Sequence, residues 1–277
     1  EGHEEEEGHH EEEEGHHEEE ETFGVVENTD SRTDGGAVGV SFIGDRGFLG
    51  VSFSGFNSKY GIPGHHHHEE DHHEEEDHPE EEEGHPEEEE GHPEEEEEEN
   101  VRIDLEQRRV DLIGEYDVDG GFLSAIRYRA ALNDYKHTEF EGEEIGTVFD
   151  VQGMDSRLEL RHAEMGGFEG AFGLQYKQVD FNAIGDEAFV PASDTTRTSL
   201  FVYEEFRVND GWVLQGSARF EDQSISGASL GEQYDGSAFG ASVGAVWRPV
   251  GDIRVSANLA LTERHPTTAE LYADGPH

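Results

Sequence analysis

The chain has 277 residues, the length of one large domain or two ordinary ones. Its 69 Asp and Glu residues against 18 Lys and Arg give a formal net charge of −51, which argues against nucleic acid as a partner, because nucleic acids select basic patches. The chain has no cysteine, so a disulfide framework, a thiolate metal site and a cysteine nucleophile are excluded. This composition favours cations as partners.

Residues 1–36 form the first segment, an acidic His-rich tract with its lead-in. A unit of Gly-His-His-Glu-Glu-Glu-Glu repeats every seven residues in this tract. The repeat does not predict a coiled coil, because no position is apolar and Gly recurs in each unit. Like charges at this density repel one another, so we expect disorder in the absence of a counterion. The predicted metal ligands of this tract are His9, His10, His16 and His17.

A strand is predicted over residues 37–44, and a tight turn at Asp45-Arg46-Gly47 leads into a second strand. The chain then enters a second acidic tract at 62–100, where residues 65–99 hold 21 acidic residues and no Lys or Arg. Imidazole beside carboxylate favours a borderline divalent metal such as Zn²⁺, with Ni²⁺ and Cu²⁺ also accepted, whereas Ca²⁺ and Mg²⁺ prefer oxygen alone. The predicted ligands here are His65, His66, His67, His68, Asp71, His72, His73, His78, His85 and His92.

Two alternatives to metal capture apply to these tracts. Slippage in the gene expands repeats without selection on every unit, and an acidic surface that only faces solvent would explain the glutamates. The second alternative leaves 14 of the 18 histidines, all at or before His92, without an explanation. Because histidine binds metal only when it is deprotonated, metal capture is predicted to weaken as the pH falls through roughly 6 to 7.

Beyond Glu99 the sequence alternates with period two, which predicts strands with two different faces. These segments run about 10 to 16 residues, well past the usual 5–6 of a globular strand. Tyr60, Tyr135, Tyr203, Trp212 and Trp247 lie near predicted strand ends, where they would suit interfacial aromatic girdles. Tight turns are predicted at 45–47, 119–121, 166–167, 210–211 and 250–251, and longer polar links at 57–100, 136–147, 183–196, 224–235 and from Arg264 onward.

Long strands with tight turns at one end and long loops at the other are typical of an outer-membrane β-barrel, and a soluble all-β sandwich is the alternative. We predict an all-β, antiparallel transmembrane β-barrel segment of about ten strands, with periplasmic turns and extracellular loops. Outer-membrane lipid would surround it, at the surface of a Gram-negative cell, with both acidic tracts outside. No catalytic motif is present, so neither an enzyme nor an organic cofactor is predicted.

Four histidines lie outside the tracts. His137 ends a predicted strand and could join a site at the loop face. His162 shares the strand face of Leu158 and Leu160 and is predicted to be structural. His265 and His277 lie in the last loop, where both interpretations stay open.

Several sequence motifs indicate a resemblance to a known protein family. Tyr-Gly-Ile-Pro-Gly-His at 60–65 leads directly into the second tract, and Pro-Thr-Thr-Ala-Glu-Leu-Tyr occupies 266–272. Together with Gly-Phe-Leu-Gly-Val-Ser at 47–52 and Arg-Leu-Glu-Leu-Arg-His at 157–162, they resemble the TonB-dependent outer-membrane receptors, in particular the branch associated with zinc uptake.

The resemblance implies a large plugged barrel of the 22-stranded kind, energised by the TonB complex, with the loop after Gly64 as its metal-capturing element. A plug domain and closing C-terminal strands are not recognised here, so residues 37–277 are expected to be the barrel portion of a larger receptor. The predicted function is uptake of a divalent transition metal, with zinc first. The alternatives are a siderophore or haem receptor whose loops buffer metal, and a surface metal-binding module without transport.

Overall fold

The computed structural model describes residues 26–63, 100–185 and 188–274. Ten strands form a single antiparallel sheet in which each strand pairs with the next one along the chain. Among the described residues, no helix has the length and apolar character needed to cross a membrane. The elements are β1 (Ser31–Gly44), β2 (Gly47–Gly61), β3 (Val101–Asp117), β4 (Leu123–Glu141), β5 (Glu144–His162), β6 (Phe168–Gly185), β7 (Ser193–Asn209), β8 (Trp212–Ser226), β9 (Tyr234–Trp247), β10 (Val255–Thr262) and α1 (Thr268–Tyr272).

This architecture confirms the prediction of an all-β antiparallel fold with ten long strands. Strand lengths range from 8 residues in β10 to 19 in β4 and β5. β1 and β10 are the two edges of the sheet, and within the described residues they pair with no strand on their outer side. In the part of the chain that the structure describes, the sheet is therefore open and not a closed barrel.

The two ends of the strands carry different connections. At one end, which we call the tight-turn edge, every connection spans two to seven residues, as the predicted turns required. At the opposite end, the loop edge, β2 ends at Gly61 and β3 begins at Val101, with residues 62–100 between them in the sequence. The predicted polar link at 136–147 is wrong, because β4 and β5 continue through it and leave only Gly142 and Glu143 between them. Polar side chains there suggested a loop, yet the hydrogen bonds of a ladder are made by the backbone, so polar side chains are compatible with it.

One face of the sheet carries a continuous apolar row across nine strands. Neighbouring members are direct cross-strand partners, and most of them are large and exposed side chains. Side chains of this kind require a lipid or a protein to cover them, since soluble monomers rarely expose so large an apolar patch. The apolar row consists of Phe42, Leu49, Gly114, Tyr128, Leu158, Leu174, Leu200, Phe220 and Phe239.

The opposite face, which we call the polar face, has a different character. The row beside the apolar row contains Arg129, Arg157, Gln175, Ser199 and Glu221 as successive partners. Apolar and polar residues alternate along each strand, as the period-two pattern predicted. In a transmembrane barrel the apolar face meets lipid and the polar face lines the interior.

Aromatic pairs mark the tight-turn edge of the apolar face. The rings of Trp212 and Trp247 stack at 5.6 Å, and those of Phe168 and Phe206 stack at 4.4 Å. Tyr60, Tyr135 and Tyr203 are one strand position out of step with this face, and they lie on the polar face instead. The prediction of a girdle from these three tyrosines is therefore wrong, since proximity to a strand end does not fix which way a side chain points.

Candidate metal-capture site

All the predicted metal ligands lie outside the described residues. They are His9, His10, His16, His17, His65, His66, His67, His68, Asp71, His72, His73, His78, His85 and His92, and their metal-binding role stays a prediction. The structure does describe the residues at which both tracts join the sheet. These residues, from Val26 onward and on either side of 64–99, meet at one corner of the loop edge.

Asn28 ties the two sides of this corner together. Its Nδ2 donates to the carbonyl oxygens of Ile62, at 3.0 Å, and Val101, at 2.8 Å. Ile62 directly follows β2 and Val101 is the first residue of β3, so these two residues mark the junctions of the second tract with the sheet. Asn28 has a φ of 54°, in the left-handed region that Asn tolerates better than most residues. The contact also needs Gly61, because a Cβ there would lie 2.0 Å from Oδ1 of Asn28.

An ion pair continues this arrangement. Arg102 donates to both carboxylate oxygens of Asp30, at 2.9 and 2.8 Å, and to Oδ1 of Asn28 at 3.1 Å. The hydrogen bond from Arg102 holds the pKa of the Asp30 carboxyl below its usual range. The pair is exposed, so it fixes geometry more than it adds stability.

We call Asn28, Asp30 and Arg102 the loop-base clamp. The backbone N–H of Ile62 donates to the carbonyl of Val101 at 3.0 Å beneath it, so the second tract leaves and re-enters the sheet at adjacent points. Sequence reasoning missed these residues. Asn and Asp before a strand are common loop residues, and only the fold shows that residues 72 and 74 positions apart are partners.

His137 lies on the polar face of β4, below the loop-base clamp. Its Nδ1 is 3.3 Å from the Tyr135 hydroxyl, its ring packs 5.3 Å from that of Phe149, and its Nε2 is 3.3 Å from a carboxylate oxygen of Glu139. Among the described residues, no group of three or more His, Asp and Glu is arranged to hold a metal. His137 and Glu139 therefore offer two ligands for a site that would need others from elsewhere.

His162 is held by structural contacts on both ring nitrogens. Nδ1 is 2.8 Å from the Ala163 carbonyl and Nε2 is 3.0 Å from a carboxylate oxygen of Glu204. The imidazole is 5% exposed and stacks 5.7 Å from the Phe122 ring. These contacts favour the structural interpretation.

His265 is also buried, and its Nδ1 is 3.2 Å from the Tyr234 hydroxyl. Next to it, Gln223 donates to the Pro266 carbonyl at 3.0 Å, so the segment after β10 packs against β8. His277 lies outside the described residues.

The polar face carries a connected set of charged side chains. Arg219 donates to Glu221 at 2.9 Å, to Ser199 at 2.9 Å and to Gln175 at 3.0 Å. Lys177 and Asp155 pair at 3.0 Å on neighbouring strands. A face of this composition suits a hydrated interior or a docked protein domain, and it would be costly against lipid tails.

The chain matches a known family and is similar to several solved structures. The family described as TonB dependent receptor-like, beta-barrel matches residues 28–276. The copper transporter OprC superposes with a TM-score of 0.64 at 10% identity, covering 87% of this chain. The FrpB iron transporter from Neisseria meningitidis, in its apoprotein form, gives 0.57 at 14% identity and 82% coverage, and the alcaligin outer membrane receptor FauA from Bordetella pertussis gives 0.54 at 13% and 82%.

These three structures share the fold of this chain at 10–14% sequence identity. The chain covers 38% of OprC, 35% of FrpB and 34% of FauA, so it spans about a third of the length of the structures it matches.

Proposed function

Because this chain belongs to the TonB-dependent receptor-like β-barrel family, we propose that it is part of an outer-membrane receptor for a divalent transition metal, with zinc as the first candidate. Proteins of this family are transporters and not enzymes. The His/Glu-rich tracts would capture the ion at the extracellular side, and the TonB complex would supply the energy for import. The observation that carries this proposal is the convergence of both tract junctions at the loop-base clamp.

The clamp supports metal capture through effective concentration. It holds the residues that follow the first tract against both junctions of the second. Attachment at one corner would raise the effective concentration of the imidazoles of the two tracts for one another. Linking weak binding groups in this way raises their combined affinity without any new contact. Each ion would then find its several ligands from one or both tracts above the mouth of the barrel.

The donor set favours zinc, nickel or copper over calcium and magnesium. Imidazole and carboxylate suit all three transition ions, and copper binds most such sites more tightly than zinc does. Selectivity therefore depends on which ion is available and on ligands deeper in the receptor. In this proposal His137 and Glu139 on the polar face would receive an ion that leaves the tracts.

The two faces of the sheet support the membrane placement. The apolar row would meet lipid and the polar face would line the interior, where a plug domain docks in the complete receptor. The tight-turn edge would be periplasmic and the loop edge extracellular, which puts both tracts outside the cell.

The test is zinc uptake in zinc-starved cells that carry the complete receptor gene. We would follow radiolabelled zinc with and without an uncoupler of the proton-motive force. Two variants are compared with the parent: deletion of residues 65–99, and replacement of the nine histidines in that segment by glutamine, which keeps its length and carboxylates.

Uptake that needs both the energy source and the histidines is the expected result. Uptake that survives both variants would overturn the role of the second tract. Loss of zinc uptake with retained binding of a ferric chelate would instead favour a siderophore or haem receptor, and binding without energised uptake would favour a surface metal-binding module.

A further inference from the structure

A furrow of about 580 Å³ runs along the apolar face beside the first tight turn. Leu49, Tyr116 and Ile126 line it from three neighbouring strands, β2, β3 and β4. The volume is within the range of about 300–1,000 Å³ that is usual for ligand pockets.

Gly114 forms the floor of the furrow. It occupies a position in the apolar row where other strands carry a large side chain, such as Leu158 or Leu174. A Cβ on Gly114 would meet the Cδ1 of Leu49 at 3.2 Å, which is tighter than ordinary contact. The furrow thus exists because one side chain is missing from an otherwise continuous apolar surface.

Arg46 stands at the mouth of the furrow, in the turn between β1 and β2. Its guanidinium lies 5.3 Å from the centre of the Tyr116 ring, and its Nη2 is 2.8 Å from a carboxylate oxygen of Asp119. These contacts hold the side chain at the furrow, and the side chain remains 43% exposed. Guanidinium donors match phosphate oxygens in geometry and charge.

We propose that this furrow binds one phospholipid molecule, with an acyl chain along Gly114 and the phosphate at Arg46. The furrow is continuous with the apolar row, so a chain inside it stays within the hydrocarbon layer. The carboxylate of Asp119 beside Arg46 complements the ammonium of a zwitterionic headgroup. Phosphatidylethanolamine therefore fits the paired charges at the mouth.

The position of the furrow also favours a phospholipid. It opens at the tight-turn edge, where the Trp212–Trp247 and Phe168–Phe206 pairs mark the level of an interface. This step rests on the proposed function, which makes that edge periplasmic. In the periplasmic leaflet, the lipid beside the furrow would be a phospholipid.

Native mass spectrometry of the complete receptor, released from detergent after incubation with phosphatidylethanolamine, tests the proposal. Arg46→Gln removes the phosphate contact and Ile126→Trp fills the furrow. Each has a matched control: Arg248→Gln changes another arginine at the tight-turn edge, and Leu174→Trp adds the same bulk to the apolar row elsewhere. Folding of every variant is checked by the heat-modified mobility that closed barrels show in gels.

We expect one retained phospholipid in the parent and both controls, with retention about tenfold weaker in Arg46→Gln, the scale of one charge-assisted hydrogen bond. Ile126→Trp should abolish the bound species. Equal retention in all five proteins would overturn the proposal, and so would stronger competition by lipid A than by phosphatidylethanolamine. Zinc uptake is measured on the same proteins, so that the two proposals are tested separately. Absence of the bound lipid from the parent with zinc uptake intact would overturn the lipid site and leave the proposed function standing. Failed zinc uptake in the parent with the lipid retained would overturn only the proposed function.

Discussion

At the scale of single residues, the loop-base clamp relates the geometry of the sheet to the proposed function. Asn28 uses one side-chain amide to satisfy two carbonyl groups that flank the second tract. Such a contact fixes the ends of a long connection, and the entropic cost of closing a connection grows only slowly with its length. The clamp thus attaches the tract for which metal binding is proposed to the sheet.

Replacing Asn28 by alanine should loosen the base of the second tract. Two hydrogen bonds to Ile62 and Val101 are lost, each worth about 1 kcal/mol. We expect faster amide hydrogen exchange at Ile62 and faster tryptic cleavage at Arg102, with the exchange of β8 unchanged. Thr29→Ala is the matched control, because its hydroxyl bonds only to the nearby Val26 carbonyl. Unaltered exchange at Ile62 in Asn28→Ala would contradict the clamp.

Glu270 gives a second residue-scale prediction. Arg264 donates to the Glu270 carboxylate at 2.7 and 2.5 Å, and the Thr267 N–H donates to the same carboxylate at 2.8 Å. These contacts lower the pKa of Glu270 from 4.5 to about 2. Because the folded pKa is depressed, the contribution to stability is complete above pH 4.5 and is lost as the pH falls towards 2. Both groups are exposed, so the effect is local.

Exchange of the Leu271 and Ala273 amides, which close α1, reports this effect. It should accelerate in Glu270→Gln at neutral pH, and in the parent as the pH falls from 4.5 to 2, after correction for intrinsic exchange. Glu232→Gln in the exposed link before β9 is the control. If exchange in Glu270→Gln matches the parent at neutral pH, the capping contacts do not hold the segment.

At the scale of elements, alternation along each strand decides which solvent a side chain meets. The apolar row and the polar row lie one residue apart on every strand from β4 to β8. A one-residue slip in register would exchange the two faces, so the register is strongly specified. The connections then matter less than the strands, as β4 and β5 show by continuing through a polar segment.

Substitutions at two adjacent residues of β9 should distinguish the apolar face of the sheet from the polar face. Val243 is 62% exposed on the apolar face, and Ser242 points to the polar face, where its hydroxyl contacts that of Ser217. Val243→Arg should destabilise the folded complete receptor in bilayers by about 2–4 kcal/mol, and Ser242→Arg by much less. Equilibrium unfolding from lipid vesicles gives the comparison. Equal losses would argue that the apolar face is not covered by lipid.

At the scale of the whole molecule, charge is divided between the tracts and the sheet. Residues 1–21 and 65–99 carry 34 of the 69 acidic residues and no Lys or Arg, whereas the rest holds 35 acidic and 18 basic residues. On the polar face these charges pair, as with Lys177 and Asp155. The unbalanced charge thus belongs to the segments for which a metal is the proposed counterion.

Metal capture by the complete receptor should depend steeply on pH. Protons compete with metal for imidazole, so zinc affinity should fall several-fold between pH 7.5 and 5.5, around the ordinary histidine pKa of about 6.5. Isothermal titration at the two pH values measures it. The variant with the nine histidines replaced by glutamine should lose this dependence, and equal affinity of the parent at both pH values would contradict histidine ligation.

The sequence by itself determined the class of fold, the number of strands, the tight turns and the composition of the tracts. Each of these depends on local information, because side-chain period and turn residues are read over a few neighbours. The metal ligands were proposed from composition alone and stay predictions. The motifs that resemble TonB-dependent receptors pointed to the family that matches residues 28–276.

Only the tertiary structure decided the long-range arrangement. It paired Asn28 with Ile62 and Val101, put the three tyrosines on the polar face, and left a furrow above Gly114. These features join residues from strands far apart in sequence, whose register is set by the sum of many ladder contacts. A local sequence pattern carries no information about these long-range contacts, so it predicts the strands but not which side chains meet across them.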